Sequence, residues 1–336
     1  MRPNITLGES RKKSRLAPLL GVSLLAGLIA GGVYWYQHRA EKQAQVEVAQ
    51  AQAAAAQAAL PPPAPVLPPS RDQLRAQAGL KLAAMEINGP LETAFVSAVG
   101  AVGPALAQVV NRTLVWWIQV PNEILRGDRL EVLYEERANE EPLVHAVRFA
   151  SNKTGQTHLA YRFQPEGSPH ARYYLADGNE LELRLESSPV DDYEQITSLI
   201  RDGRKHKGVD FKTPVGTLVR APFDAVITRK NWNFRSNGNC LELDEVGGSR
   251  QALLLHLDVL PSNLKVGQRL SRGQVVAHSG NSGRSFAPHL HYQLMRGEDR
   301  VLDPFESHRS FRKQLASGHL PSLNQQIARL DALLAP

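Results

Sequence analysis

Two of the 11 histidines stand as His289-Leu290-His291, and a third opens the segment His206-Lys207-Gly208-Val209-Asp210. The triplet lies in a strand-like run, so alternation sends both imidazoles to one face, where one could bind metal while its neighbour handles protons. The second segment supplies an imidazole and a carboxylate, both good zinc donors, with a glycine between them that lets the backbone turn. Each spacing arises about 0.4 times by chance in a chain of this composition, so neither decides anything alone. Combined, they offer three protein ligands and leave a fourth tetrahedral position for water, the arrangement of a catalytic rather than a structural zinc. Zinc there would bring the pKa of water to about 7 and polarise a carbonyl. His256, in Leu253-Leu254-Leu255-His256-Leu257, reads in isolation as a satisfied core histidine. Beside a zinc site it becomes a candidate for holding the attacking water or stabilising an oxyanion. The single cysteine, Cys240, excludes an internal disulfide and a thiolate-built zinc site, and reads as a small buried strand residue.

These residues need a scaffold. Beyond His206 the chain breaks into short β-type runs at 218–220, 225–229, 240–243, 252–257, 274–278 and 290–295, split by Gly, Pro and Asn, which predicts an all-β domain. Upstream, residues 74–187 mix helical periodicity at Leu91, Phe95, Val99 and Leu106 with strand-like runs at 114–120 and 130–135, which predicts a small α+β domain. At the end of the chain, residues 314–334 return to helical spacing. Leu323, Ile327, Leu330 and Leu334 share a face that should pack on a neighbouring domain.

At the other end, residues 16–36 contain no charge and are long enough as a helix to cross a hydrocarbon core of about 30 Å. Arg11, Lys12, Lys13 and Arg15 precede this segment and Tyr34-Trp35-Tyr36 closes it, so the positive-inside rule places the bulk of the chain outside. An uncleaved anchor fits better than a signal peptide, whose apolar core is shorter. The Ala/Gln-rich residues 41–60 and the prolines from Pro61 to Pro69 read as a helical and then extended stalk. A net charge of +6 favours anionic partners. No zinc-finger spacing or aromatic RNA motif accompanies it, so no nucleic-acid partner is expected, and an anionic cell envelope explains the charge.

In this order, six segments resemble the lysostaphin/LytM-type zinc metalloendopeptidases: His206-Lys207-Gly208-Val209-Asp210, Pro214-Val215-Gly216-Thr217, Leu255-His256-Leu257, Val266-Gly267-Gln268, Gly280-Asn281-Ser282-Gly283 and Pro288-His289-Leu290-His291. The resemblance implies one zinc held by His206, Asp210 and His291, with His256 and His289 as non-ligand catalytic histidines. It also implies peptidoglycan as substrate, cut in its peptide cross-bridges. Upstream, Leu125-Arg126-Gly127-Asp128-Arg129-Leu130-Glu131-Val132-Leu133-Tyr134-Glu135-Glu136 and Tyr173-Tyr174-Leu175-Ala176-Asp177-Gly178 are similar to envelope-anchored murein DD-endopeptidases of diderm bacteria. Such members imply the bond between D-alanine and diaminopimelate, and an accessory domain that holds or gates the catalytic one. Leu254, Ala287 and Ala225 stand where the family commonly has Tyr, Gly and Gly, and are expected on the cleft walls.

The expected organisation is therefore multidomain. It comprises a cytoplasmic basic segment (1–15), a transmembrane helix (16–36), a stalk (37–73), an α+β accessory or regulatory domain (74–187), an all-β LytM-type peptidase domain of duplicated hybrid motif (188–305) and a C-terminal helical tail (306–336). The expected location is the inner membrane, single-pass, with the later domains in the periplasm, where regulatory envelope proteins could meet them. The alternative function is a non-catalytic LytM-like protein that binds the wall or regulates other hydrolases.

Overall fold

The computed structural model describes residues 19–58, 69–200, 202–203, 206–297 and 300–334. The chain divides into two compact units, residues 1–68 and 69–336. Within the first, α1 (Leu19–Ala58) is one helix running through the expected span and the Ala/Gln-rich stretch. Alanine is the strongest helix former, which suits that stretch. The basic cluster at 11–15, the start of the span at 16–18 and the prolines at 61–68 lie outside the described residues.

The second unit opens with α2 (Arg71–Gln77), whose first turn is closed by a capping box between Ser70 and Gln73. There follow β1 (Lys81–Ile87), α3 (Leu91–Val99), α4 (Gly103–Leu114), β2 (Asp128–Glu135), β3 (Leu143–Ser151), β4 (Gln156–Phe163), β5 (Arg172–Tyr174) and β6 (Asn179–Leu185). The next elements are β7 (Gln195–Ser198), β8 (Val209–Lys212), β9 (Leu218–Arg220), β10 (Ala225–Lys230), α5 (Phe234–Asn237), β11 (Asn239–Glu245), β12 (Arg250–Leu257), β13 (Arg269–Leu270), β14 (Val275–His278), β15 (His289–Arg296) and β16 (Arg300–Leu302). Last come α6 (Pro304–Ser307), β17 (Ser310–Gln314) and α7 (Leu320–Leu334).

One antiparallel sheet runs β1-β2-β3-β4-β5-β6-β17 and the other β13-β10-β11-β12-β15-β8-β7, with β16 beside β15 and a small β9–β14 ribbon. The mostly β character expected after His206 is thus present. The first sheet is covered on both faces. Phe95, Leu106, Val110 and Leu114 of α3 and α4 meet Leu130, Val132 and Phe149 on one side. Leu330, Leu333 and Leu334 of α7 meet Leu133, Ala146 and Tyr161 on the other. The C-terminal segment is therefore built into this first sheet: β17 extends its edge through β6, and α7 seals its face. The shared face of Leu323, Ile327, Leu330 and Leu334 is the one that packs.

Residues 114–120, expected as a strand, end α4 and continue as turns. The N–H groups of Val115 and Ile118 bond back to the carbonyls of Asn111 and Leu114. A short apolar run at a buried helix end has the same periodicity as a buried strand, so the pattern could not separate them. Trp116, in this stretch, packs against both cores and meets Phe305 edge-on at 5.4 Å.

A second junction is polar. Tyr193, just before β7, has the guanidinium carbons of Arg172 and Arg184 5.0 and 4.6 Å from its ring centroid and touches Phe211 of β8 edge-on. Glu182 of β6 is buried among these groups, and the Ile196 N–H of β7 approaches its carboxylate at 3.3 Å. Burial pushes the Glu182 carboxyl up to about 7; Arg172, Arg184 and the Ile196 N–H oppose the rise, and Glu180 adds to it. Because the folded pKa lies above the ordinary 4.5, this group's stabilisation is complete below pH 4.5 and is lost as pH rises through about 7. Glu182→Gln should remove that component. Melting curves recorded between those limits should show the variant gaining on the wild type as pH rises, whereas parallel curves would contradict the assignment.

Candidate active site

β15 is buried along most of its length, with β8 on one side and β12 on the other. Its pairing with β8 sets His291 opposite Asp210 and His289 opposite Lys212. Side chains of opposed residues share a face, so Asp210 and both histidines of the triplet emerge together. The alternate residues Val209, Phe211, Leu290 and Tyr292 are buried in the core behind them. That division between core and chemistry is what the two-residue spacing encodes.

His206 enters from the loop before β8. Its Nε2 lies 3.0 Å from His291 Nδ1 and 3.2 Å from Asp210 Oδ1, and His291 Nδ1 is 2.8 Å from the same oxygen. Donors around a tetrahedral zinc with bonds of about 2.0–2.1 Å would sit about 3.3 Å apart, close to this spacing. Among the described residues this is the one group of three or more His, Cys, Asp or Glu that could hold a metal ion. Burial would raise the Asp210 carboxyl, but the adjoining imidazoles of His206 and His291 outweigh it and hold the group well below the usual carboxylate range. The donor set fits zinc.

Gly208 stands at a bend, where the turn was expected, and it matters for space as well. Its φ is not among the positive values, and an added Cβ would meet Tyr292 O at 2.6 Å and the His291 ring at 2.8 Å. Behind His206 stands a pair that the sequence did not reveal. Ser198 of β7 donates to Asp202 Oδ2 at 2.6 Å, and its oxygen lies 2.8 Å from His206 Nδ1. With the hydroxyl hydrogen committed to Asp202, Ser198 accepts from His206 Nδ1–H, leaving the Nε2 lone pair for the metal. No spacing rule marks Ser198 and Asp202; only the pairing of β7 with β8, which sets Ser198 opposite Asp210, brings them in.

His256 reaches the site through a β-bulge. The register passes from Leu241↔Leu254 to Asn239↔Leu257, so Leu255 and His256 together oppose Cys240. His256 takes φ +61°, a left-handed conformation rare for residues other than glycine. Simple alternation would set His256 in the core beside Leu254; the bulge turns it towards the site, where it is still buried, and gives the core position to Leu257. Its ring centroid lies 4.7 Å from that of His289 and 6.1 Å from that of His291. Nδ1 is 2.9 Å from Ser282 O, which can only accept, so Nδ1 carries the proton and Nε2 is free. Burial pushes His256 down to about 4, opposed by the Ser282 carbonyl and reinforced by the neighbouring histidines. His289 is arranged alike, with Nδ1 2.8 Å from Ala287 O and Nε2 3.8 Å from Asp210 Oδ1.

All five expected residues thus converge. Beside them opens a cavity of about 690 Å³, lined by Asp210, Ala287 and His289 and by residues of the upstream layer, including Arg112, Arg162 and Glu182. Of the three departures expected on the cleft walls, Ala287 lies there; Leu254 and Ala225 are wholly buried in the core, because both face inward on their strands. Cys240 is buried within β11, and burial pushes its thiol pKa up.

Residues 204–304 match the model of Peptidase family M23. The chain is 30% identical over 264 residues to the peptidoglycan DD-endopeptidase ShyB of Vibrio cholerae, covering 74% of this chain and 59% of the relative. It is 43% identical over 94 residues to the glycyl-glycine endopeptidase ALE-1 of Staphylococcus capitis, 28% of this chain and 25% of that one. The chain spans little more than half the length of ShyB and of the related ShyA, 59% and 53%. A crystallised catalytic domain of lysostaphin from Staphylococcus simulans is 31% identical, with 38% of this chain and 90% of that chain covered and a TM-score of 0.30.

The hydrogen-bond chain behind His206 has a measurable consequence. Ser198→Ala should weaken zinc binding about 10- to 100-fold with the circular dichroism unchanged, as read by competition with a chelator, and an unchanged affinity would contradict the role. The converging donors and the sequence match agree: residues 204–304 form a peptidase domain of family M23, a zinc-dependent family.

Proposed function

We propose that this chain is a zinc-dependent peptidoglycan endopeptidase, anchored in the inner membrane by α1, with its second unit in the periplasm. The observation that carries the reading is the convergence of His206 Nε2, Asp210 Oδ1 and His291 Nδ1 within 3.2 Å of one another, flanked by two further imidazoles. The named relatives support the substrate class, and the DD-endopeptidase ShyB supports a DD cross-link as the bond cut, which we assign, with the family resemblance, to the bond between D-alanine and diaminopimelate. Exposed Tyr34, Trp35 and Tyr36 on a helix that begins in an apolar run support the anchor.

Zinc held by His206, Asp210 and His291 would supply Lewis acidity at the scissile carbonyl and lower the pKa of water there. His256 and His289 each tie Nδ1–H to a backbone carbonyl and so present a free Nε2. One accepts the proton of the attacking water. The other stabilises the oxyanion, and the captured proton passes to the leaving amine. The accessory domain supplies the far wall of the cleft, which supports a covering role for it.

A non-catalytic wall-binding protein on the same fold is the rival, and the presence of every expected ligand weighs against it. The test is mass analysis of peptides released from sacculi by the purified zinc-loaded chain. Wild type should release cross-link fragments. His291→Ala should lose both zinc and release, and His289→Ala should keep zinc while the rate falls about 10²- to 10⁴-fold. A wild-type chain that binds no zinc and releases nothing would decide for the rival.

A further inference from the structure

The cleft wall carries five cations, and four are already engaged. Arg112 makes paired bonds of 2.8 and 2.6 Å to Glu141, Arg137 lies 3.5 Å from Glu140, and Lys212 bonds Glu194 at 2.9 Å. Arg172 is held by the backbone carbonyls of Tyr193 and Glu194, with Glu180 at 3.7 Å. Arg162 is the exception. It is half-buried in the wall of the same cavity as Asp210 and His289, and among the described residues its side chain makes no hydrogen bond or ion pair.

Its placement is fixed by register. β4 pairs with β5 so that Arg162 opposes Tyr173, whose hydroxyl is anchored on Val144 O. The flanking residues Tyr161 and Phe163 turn the other way and pack in the clusters under α7. Arg162 therefore belongs to the cleft-facing side of the accessory sheet. The carboxylates of the cavity are also accounted for: Glu140, Glu141 and Glu194 serve the cations above, and Asp210 serves the histidine cluster. Glu182 is buried, with its carboxyl pushed up to about 7, which makes it a poor counter-ion near neutral pH. A guanidinium drawn out of water without a partner is unfavourable, and its planar fork matches a carboxylate.

We infer that Arg162 is a specificity-determining residue that receives a free carboxylate of the peptide substrate on the accessory-domain wall of the cleft. The inference rests on the endopeptidase reading for the identity of its ligand as a peptide. The expected contact is a paired, charge-assisted hydrogen bond, so Lys at this position keeps the charge and loses the fork.

The test uses the full chain in detergent, loaded with zinc, and two synthetic cross-bridge peptides that differ in one group, a free carboxylate or its primary amide. Calorimetric binding and steady-state cleavage are measured for wild type, Arg162→Gln and Arg162→Lys. Wild type should bind the acid about tenfold more tightly than the amide. Arg162→Gln should erase that preference, raising KM for the acid with kcat little changed and leaving the amide unaffected, while Arg162→Lys restores part of it. Equal binding of the two peptides by wild type, or an equal effect of Arg162→Gln on both, overturns the inference even if both are cleaved. Acid preference that depends on Arg162 without any cleavage upholds the carboxylate site and sinks the endopeptidase reading instead.

Discussion

Asp210 and His291 face each other across two neighbouring antiparallel strands with 2.8 Å between Oδ1 and Nδ1, and the site depends on that register. A slip of one residue would send both into the core and bring Val209 and Tyr292 out. What prevents the slip is the opposite face of the same strands, where Val209, Phe211, Leu290 and Tyr292 are buried. Tyr292 is also tied through its hydroxyl to His308 Nε2 at 2.7 Å, beyond the end of α6. Gly208 then lets the chain pass close enough to the His291 ring for His206 to complete the set.

One of the remaining imidazoles, that of His256, is added against local preference. The left-handed backbone of His256 costs roughly 1–3 kcal/mol by itself. It is held by neighbours that fix both ends of the bulge: Ser282 accepts from His256 through its carbonyl and donates its hydroxyl to Leu257 O at 2.6 Å. The Asn239 N–H on the partner strand bonds the same hydroxyl oxygen at 2.9 Å. The loop around Ser282 can approach so closely because Gly238 and Gly283 have no side chains; a Cβ on Gly283 would come within 2.2 Å of Gly238 N. Strain at a functional side chain is thus offset by hydrogen bonds from a loop that contributes no side chain to the metal set.

Much of this was legible in the sequence because the period of a strand writes chemistry and packing on alternate residues, as in His289-Leu290-His291. The β runs from 218 to 295 were readable for the same reason. Less could be read where position depends on partners far along the chain. Ser198 and Asp202 follow no spacing rule, and the bulge at His256 exists only relative to β11. Nor does the amphipathic pattern of residues 320–334 say which sheet receives it. The structure joins it to elements 170 and 258 residues earlier, to β4 through Tyr161 OH on Asp331 and to α2 through Arg75 on Leu333 O.

The most direct test of the central claim is the zinc-edge X-ray absorption spectrum of the loaded chain, read with the metal content of the ligand variants. One zinc per chain is expected, coordinated by two imidazole nitrogens and a carboxylate oxygen at about 2.0–2.2 Å, and lost on Asp210→Ala. Sulfur scattering from Cys240, or full zinc occupancy in Asp210→Ala with an unchanged spectrum, would contradict it.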